Sequence, residues 1–287
     1  MIKKILFPKL KLNTPTHFTY INDCFFIVDC WNNRILYKQN TMFTRWKKIK
    51  DLNKPHRIRF HNKLYYVCDT DNNRIITFDK KMKNQKVLET ISLARPHDIQ
   101  IHNGVLYIVD CFQGSSRIIK HSLLSSDSKV IFEANGVYAR SFKIINNDLL
   151  LSCSSSGEII KIKLIQDYPF QKYCENTDGF NLPCMTAIEQ LNYGYNRFIP
   201  NDIEYFNGYF YMTNYFYGDS VNKFIRFKTL DDLEKGIFDD FSYLVKGVPY
   251  YLEVINEQLF MGEIDGYSCV KILIEENEDL RIKKVVE

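Results

Sequence analysis

At 287 residues, with 45% hydrophobic and 15% aromatic side chains, the chain has core-forming material well beyond that of a disordered sequence. A formal net charge of only +4, with no basic block beyond Arg45-Trp46-Lys47-Lys48 and Lys80-Lys81, counts against a nucleic-acid partner. No apolar run approaches a membrane span, and eight scattered cysteines without a Cys-x-x-Cys pair read as reduced thiols of a cytoplasmic protein.

The chain begins Met1-Ile2-Lys3-Lys4-Ile5-Leu6-Phe7-Pro8, where three apolar residues before the proline are too few for a signal-peptide core. Further on, Pro96 to Asp110 reads as two strands joined by an Asn103-Gly104 turn, with Ile99 and Ile101 alternating and an apolar run ending at Asp110. The same pattern recurs along the whole chain. Asn22, Asn62, Asn103, Asn146, Asn207 and Asn256 take equivalent places, at spacings of 40, 41, 43, 61 and 49 residues. Seven residues after each anchor an apolar strand ends, at Asp29, Asp69, Asp110, Cys153, Asn214 and Glu263. Six residues before it the first strand opens, at His56, His97, Arg140, Asn201 and Tyr250, and His17 takes that place in the first copy if a gap is allowed.

A third strand follows each pair, as in Arg34–Tyr37, Arg74–Phe78, Arg117–Ile119, Ile159–Ile162, Phe224–Phe227 and Val270–Leu273, and then a weaker fourth, as in Lys86–Thr90 or Ser128–Phe132. Six such units with periods near 40 predict an all-β, six-bladed β-propeller with four antiparallel strands per blade. The whole chain, 1–287, is then one domain, with blades near 13–51, 52–92, 93–135, 136–198, 199–246 and 247–287 after a lead-in over 1–12. Ring closure calls for a last outer strand, supplied by Leu280–Val286 or by Lys4–Phe7. Two insertions break the period. The stretch 166–198, rich in Tyr, Asn and Cys, is either a flap over one end of the ring or a solvated excursion, and its Cys174 and Cys184 invite a disulfide test. Leu230–Gly236 reads as a short helical turn ended by glycine.

The segments Asp29-Cys30-Trp31-Asn32-Asn33-Arg34-Ile35 and Asp69-Thr70-Asp71-Asn72-Asn73-Arg74-Ile75 resemble NHL repeats, whose pattern is Pro-x-Gly-Ile, a turn, an apolar run ending in Asp, then Asn-x-Arg-Ile. Where that pattern has glycine, this chain carries Arg57, Asp98, Ser141 and Asp202. Related six-bladed propellers include gluconolactonase-like hydrolases, streptogramin lyases, amidating lyases and plain protein-binding modules, so the resemblance implies a fold and leaves function to the site.

By the chain course the resemblance implies, the starts of the first strands and the loops after the second strands open on one face. Charged residues of the alternate set, Arg57, Arg59, Asp98, Asp202, Glu204 and Glu253, are expected to line a wet channel, where the arginines offset the carboxylates. The same alternation places His56 and His97 on the blade-packing face with Ile58 and Ile99, unless a bend at the strand start turns them to the mouth. Candidate catalytic groups at the mouth are His56 or His97 as base and Arg140 against an oxyanion. Candidate ligand-binding residues are Trp31, Arg57, Asp98, Asn201, Asp202, Tyr215, Tyr217, Tyr250 and Glu263, where aromatic faces beside polar groups suit a small polar, carbohydrate-like molecule. His17, His56 and His97 are candidate zinc ligands, and Asn201, Asp202 and Glu263 are oxygen donors of the kind that hold calcium; hydrogen bonding to the neighbouring blade is the other use open to the histidines. Asp29, Asp69 and Asp110 are expected to cap the loops that follow them. The expected function is binding of a small polar ligand, with hydrolase or lyase chemistry as an extension. The alternative is a non-catalytic scaffold for a protein partner.

Overall fold

A computed structural model describes residues 10–41, 44–112, 114–164, 170–173, 198–216, 221–264, 268–276 and 279–286. Its strands form six four-stranded antiparallel sheets, each in simple sequential order, arranged as the six blades of a β-propeller. The innermost strands are Pro15–Ile21, Pro55–His61, Pro96–His102, Ala139–Ile145, Pro200–Phe206 and Val248–Ile255. Each turns into the second strand through the anchoring asparagine, which holds φ between 45° and 51° in all six hairpins. The residue after it is also left-handed, as at Asp23, Gly104 and Gly208, so the turns have the two positive φ values that a tight hairpin needs to match strand twist.

Second strands are buried on both faces, because each sheet is covered by a neighbour on either side. The core is accordingly divided into clusters between successive blades. Phe26, Val28 and Ile35 of blade one meet Ile58, Tyr65 and Val67 of blade two, and Val109 and Ile118 of blade three meet Phe142, Leu149 and Leu151 of blade four. The ring closes in the same way. Phe18, Phe25 and Ile27 of blade one pack on Tyr251, Phe260 and Val270 of blade six, with the Phe18 and Phe260 rings 5.2 Å apart. The outer strand of blade six is Asp279–Val286, which contains the expected Leu280–Val286 and pairs with Cys269–Glu276. The alternative closing segment, Lys4–Phe7, lies outside the described residues.

Among the described residues, the aspartates that end second strands make no cap bond to the backbone of the turn that follows; they accept instead from a backbone N–H just before the first strand of the same blade and from the arginine that opens its third strand, or in blade three lies within it. Asp29 accepts from Asn13 N at 2.7 Å and from Arg34 Nε at 2.6 Å. Asp69 does the same with Asn53 N and Arg74 Nε, each at 2.7 Å, and Asp110 with Arg95 N and Arg117. Glu263, proposed above as a ligand group, is the blade-six equivalent: it accepts from Gly247 N at 3.0 Å and pairs with Lys271. It is wholly buried in that role.

The first part of the long insertion is structural: Phe170–Tyr173 is the outer strand of blade four. Residues 174–197, with Cys174 and Cys184, lie outside the described residues, and so do Tyr217 and Tyr267. The six described cysteines are free and buried. The second insertion is a short helix, Leu230–Glu234, opened by a Thr229–Asp232 capping box and followed by Gly236 at φ 71°. No helix among the described residues is long and apolar enough to cross a membrane.

Because closure rests on apolar packing between first and last blades, Phe18→Ala is expected to cost about 3–5 kcal/mol, the usual range for emptying a core phenylalanine site. Urea unfolding of the variant against the parent chain measures it.

Candidate functional site

All six innermost strands carry a register shift at their start, after the first residue in blades one to five and after Pro249, the second residue, in blade six, where one extra residue opposes the second strand. The residues in these β-bulges are Thr16, His56, His97, Arg140, Asn201 and Tyr250. A bulge re-aims a side chain that strict alternation would send into the blade interface. It is the bend that His56 and His97 needed, and all six of these residues line one small cavity on the channel axis. Arg57, Ser141, Asp202 and Tyr251 complete its wall. The cavity has ≈ 220 Å³ of free space counting open water at its mouth, but its walls stand close, leaving interior room on the order of one water molecule.

One sequence assignment changes here. Counting six residues back from Asn22 without a gap gives Thr16, preceded by Pro15 as the other openers are by Pro55, Pro96, Pro200 and Pro249. Thr16, not His17, belongs to the ring. His17 sits in the layer beneath, beside Glu253 at 3.3 Å and Arg59 at 3.1 Å, where its Nδ1 lies 3.4 Å from Ile58 N. The three histidines therefore do not converge on one metal. Among the described residues no group of three or more His, Cys, Asp or Glu side chains is placed to hold an ion. The oxygen set fares no better: Glu263 is committed to Gly247 N and Lys271, Asp202 is saturated as described next, and two arginines stand in the wall. The lining does not suit a divalent cation.

Below the bulge ring the channel is a buried ionic layer, not a wet surface. Arg57 makes a two-point bond to Asp98, at 2.7 and 3.0 Å, and reaches Asp202 at 3.2 Å. Asp98 also accepts from Ile99 N and Phe142 N, and Asp202 from Ser141 Oγ, Ile203 N and Leu252 N. Blades two to six are thus tied across the axis through two carboxylates. The next layer pairs Arg59 with Glu253 at 2.7 Å and Lys143 with Glu204. The expected offset of arginines against carboxylates holds, except that Glu204 takes Lys143. Burial is what differs: Asp98 and Asp202 are almost fully enclosed. Such charges persist because every lone pair finds a donor.

In the cavity wall, His56 Nδ1 donates to Lys54 O at 2.8 Å and His97 Nδ1 donates to Arg140 O at 2.9 Å. These bonds fix the tautomer and leave Nε2 of each ring as the lone-pair nitrogen. The two rings lie 3.9 Å apart at 46°. Cys30 Sγ touches His56 at 3.9–4.0 Å, and burial pushes that thiol up to about 12, so it is no nucleophile. Burial also lowers both imidazoles, His56 to about 3 and His97 well below its ordinary value, with the neighbouring ring and Arg140 adding to the effect on His97. Both are neutral near pH 7.

Arg140 lies among three tyrosines, its guanidinium carbon 4.3 Å from the Tyr215 ring, 5.3 Å from Tyr138 and 5.9 Å from Tyr250. Burial works against its charge, and the tyrosines outweigh it, so its pKa stands above the ordinary value. Its Nε has no hydrogen-bond partner, and neither has Arg57 Nη1, Asn201 Oδ1 or Tyr251 OH, all on residues of the same wall. Tyr251 fits there only because Gly262 faces it: a Cβ on that glycine would stand 1.9 Å from the ring.

Trp31, 62% exposed, lies out on its loop with Lys54 Nζ 5.8 Å over the ring, and Phe112, 57% exposed, ends the second strand of blade three. Both are away from the cavity wall. Ser141 and Tyr251 belong to the same alternate set as Asp202, while sequence reasoning missed Thr16 as a wall residue and Tyr138 as a partner of Arg140. The Pro15-Thr16 pair was a readable signal, whereas Tyr138 precedes its strand and has no place in the repeat.

No family model matches the chain, and no curated protein matches its sequence. Solved structures do match. A catalytically inactive variant of virginiamycin B lyase from Staphylococcus aureus, seen with quinupristin, is 15% identical with a TM-score of 0.63, covering 98% of this chain and 87% of that one. The likeness is one of fold. A chain of a nidogen/laminin complex is 13% identical at a TM-score of 0.62, covering 82% of each chain. Hydrazine synthase of Kuenenia stuttgartiensis is 15% identical at 0.61, covering 93% of this chain and 78% of that one. These neighbours place the chain with the six-bladed propellers that the NHL-like and streptogramin-lyase-like resemblance implied.

Two outcomes follow from the charges. Arg57→Ala leaves Asp98 and Asp202 buried without their cation, and is expected to cost about 3–5 kcal/mol in denaturant unfolding. The depressed histidines bind protons more readily unfolded than folded, so their contribution is intact above pH ~6.5 and is lost as pH falls towards about 3. The melting temperature should therefore drop across that window, and His97→Gln should make the drop shallower.

Proposed function

We propose that this propeller binds a small polar ligand whose polar end enters the bulge-ring cavity. The carrying observation is the set of four buried, unpartnered polar atoms on one cavity wall: Arg57 Nη1, Arg140 Nε, Asn201 Oδ1 and Tyr251 OH. Each unsatisfied buried group costs about 1–3 kcal/mol, and native interiors carry few of them. Four around one opening are accounted for by an occupant that bonds to them. The narrow interior supports a polar head group as that occupant, so a carbohydrate-like ligand would insert a substituent and keep its ring in the mouth.

Catalysis is a further step. His97 as base and Arg140 against an oxyanion have the right chemistry for hydrolysis or elimination. An imidazole held far below its ordinary pKa has low proton affinity, however, and a general base works best near the operating pH. Binding is the function this geometry supports best. One observation favours a second reading, a protein-binding face: exposed Trp31, in the turn after a second strand, and exposed Phe112, at the end of another, lie at the end where the innermost strands begin.

A thermal-shift panel of small neutral and charged polar compounds on the full chain separates the two. Ligand binding predicts a saturable stabilisation that disappears in Asn201→Ala and survives Trp31→Ala/Phe112→Ala. The cavity loses its role if every stabilising compound still acts on Asn201→Ala and on Arg140→Gln.

A further inference from the structure

The charges and acceptors of the cavity wall narrow the ligand class. Arg57 is shared by two carboxylates, whereas among the described residues no carboxylate pairs with Arg140. Its positive charge is buried against aromatic faces, and its Nε lacks an acceptor. A buried guanidinium takes a planar anion in preference to a neutral oxygen, because the pair is charge-assisted and matches the two-oxygen geometry of a carboxylate.

The remaining wall groups are not donors alone. Asn201 Nδ2 donates to Pro249 O at 2.8 Å, which fixes the amide orientation and leaves the unpartnered Oδ1 as an acceptor on a residue 1% exposed. His97, its Nδ1 committed to Arg140 O, presents Nε2 as a second acceptor. A bare anion would place its oxygens against these lone pairs. A hydroxyl beside the carboxylate supplies the proton they need. A phosphate dianion would meet one unpaired arginine and two acceptors, and a neutral sugar would leave Arg140 without a counter-ion.

We propose that the cavity with its open mouth is a site for a compact hydroxycarboxylate, its carboxylate against Arg140, its hydroxyl proton given to Asn201 Oδ1 or His97 Nε2, and its carbon skeleton left in the mouth because the interior has room for only about one water molecule. This rests on the ligand-binding reading above and specifies it. Tyr251 OH and Arg57 Nη1, likewise unpartnered on residues of the wall, are further groups for the ligand to bond.

Glycolate, acetate and glycolamide, titrated into the full chain by calorimetry with thermal shift alongside, test both parts of the assignment. Glycolate is expected to bind saturably, and acetate, which lacks the hydroxyl, and glycolamide, which lacks the charge, each about tenfold or more weaker. Arg140→Gln should abolish the preference for glycolate over glycolamide, and Asn201→Ala should shrink that for glycolate over acetate. The unmodified chain alone is decisive if a variant does not fold. Glycolamide binding as tightly as glycolate overturns the carboxylate assignment, and acetate binding as tightly overturns the hydroxyl. In either case a small polar ligand still occupies the cavity. If none of the three binds and neutral polyols such as erythritol give no saturable shift either, the ligand-binding reading falls with it.

Discussion

The extra residue at the start of each innermost strand is the constraint on which the centre of this molecule depends. Without the bulge, strict alternation would send Thr16, His56, His97, Arg140, Asn201 and Tyr250 between blades, against apolar neighbours that leave no partner for a polar group. With it, each turns to the axis and can bond to the next blade. Thr16 Oγ1 donates to His56 O, His97 Nδ1 to Arg140 O, and Asn201 Nδ2 to Pro249 O. The same local irregularity thus links neighbouring blades and assembles the cavity wall.

The layer below explains how so narrow a channel tolerates charge. Arg57, Asp98 and Asp202 come from three different blades, and Ser141 and the backbone of blades four and six complete their coordination. Positions where NHL-like repeats have glycine are here the charged members of this clasp. Both carboxylates of the clasp are satisfied, and the polar atoms left without partners on residues of the cavity wall are Arg57 Nη1, Arg140 Nε, Asn201 Oδ1 and Tyr251 OH. Specificity for a ligand then falls to the few atoms that the clasp does not use: the donor face of Arg140, the Asn201 carbonyl and the free imidazole nitrogens.

Much of this was legible in the residues, and the misses have physical causes. The asparagine anchors, the third strands and the helix ended by Gly236 follow from short-range rules of turn geometry and backbone satisfaction, whereas the aspartates expected to cap the loops after them bind backbone ahead of the first strand. His17 was misplaced because a gap was admitted where direct counting gives Pro15-Thr16. Glu263 was read as an open oxygen donor, yet it repeats the bonding of Asp29, to backbone ahead of the first strand and to a cation on the third, with Lys271 in place of the arginine. Trp31 was read as a ligand platform and lies exposed on its loop, outside the cavity wall.

The sequence by itself determined the blade count, the hairpin turns and, in five of the six blades, which residue joins the bulge ring, because these are set by contacts within a few positions of the chain. Only the tertiary structure decided that Arg57 meets Asp98 and Asp202, that three tyrosines surround Arg140, and that residues 57, 140, 201 and 251, each with an unpartnered polar atom, line one cavity. Those pairings join blades far apart in sequence, and their partners are chosen by closure of the ring, which no local pattern encodes.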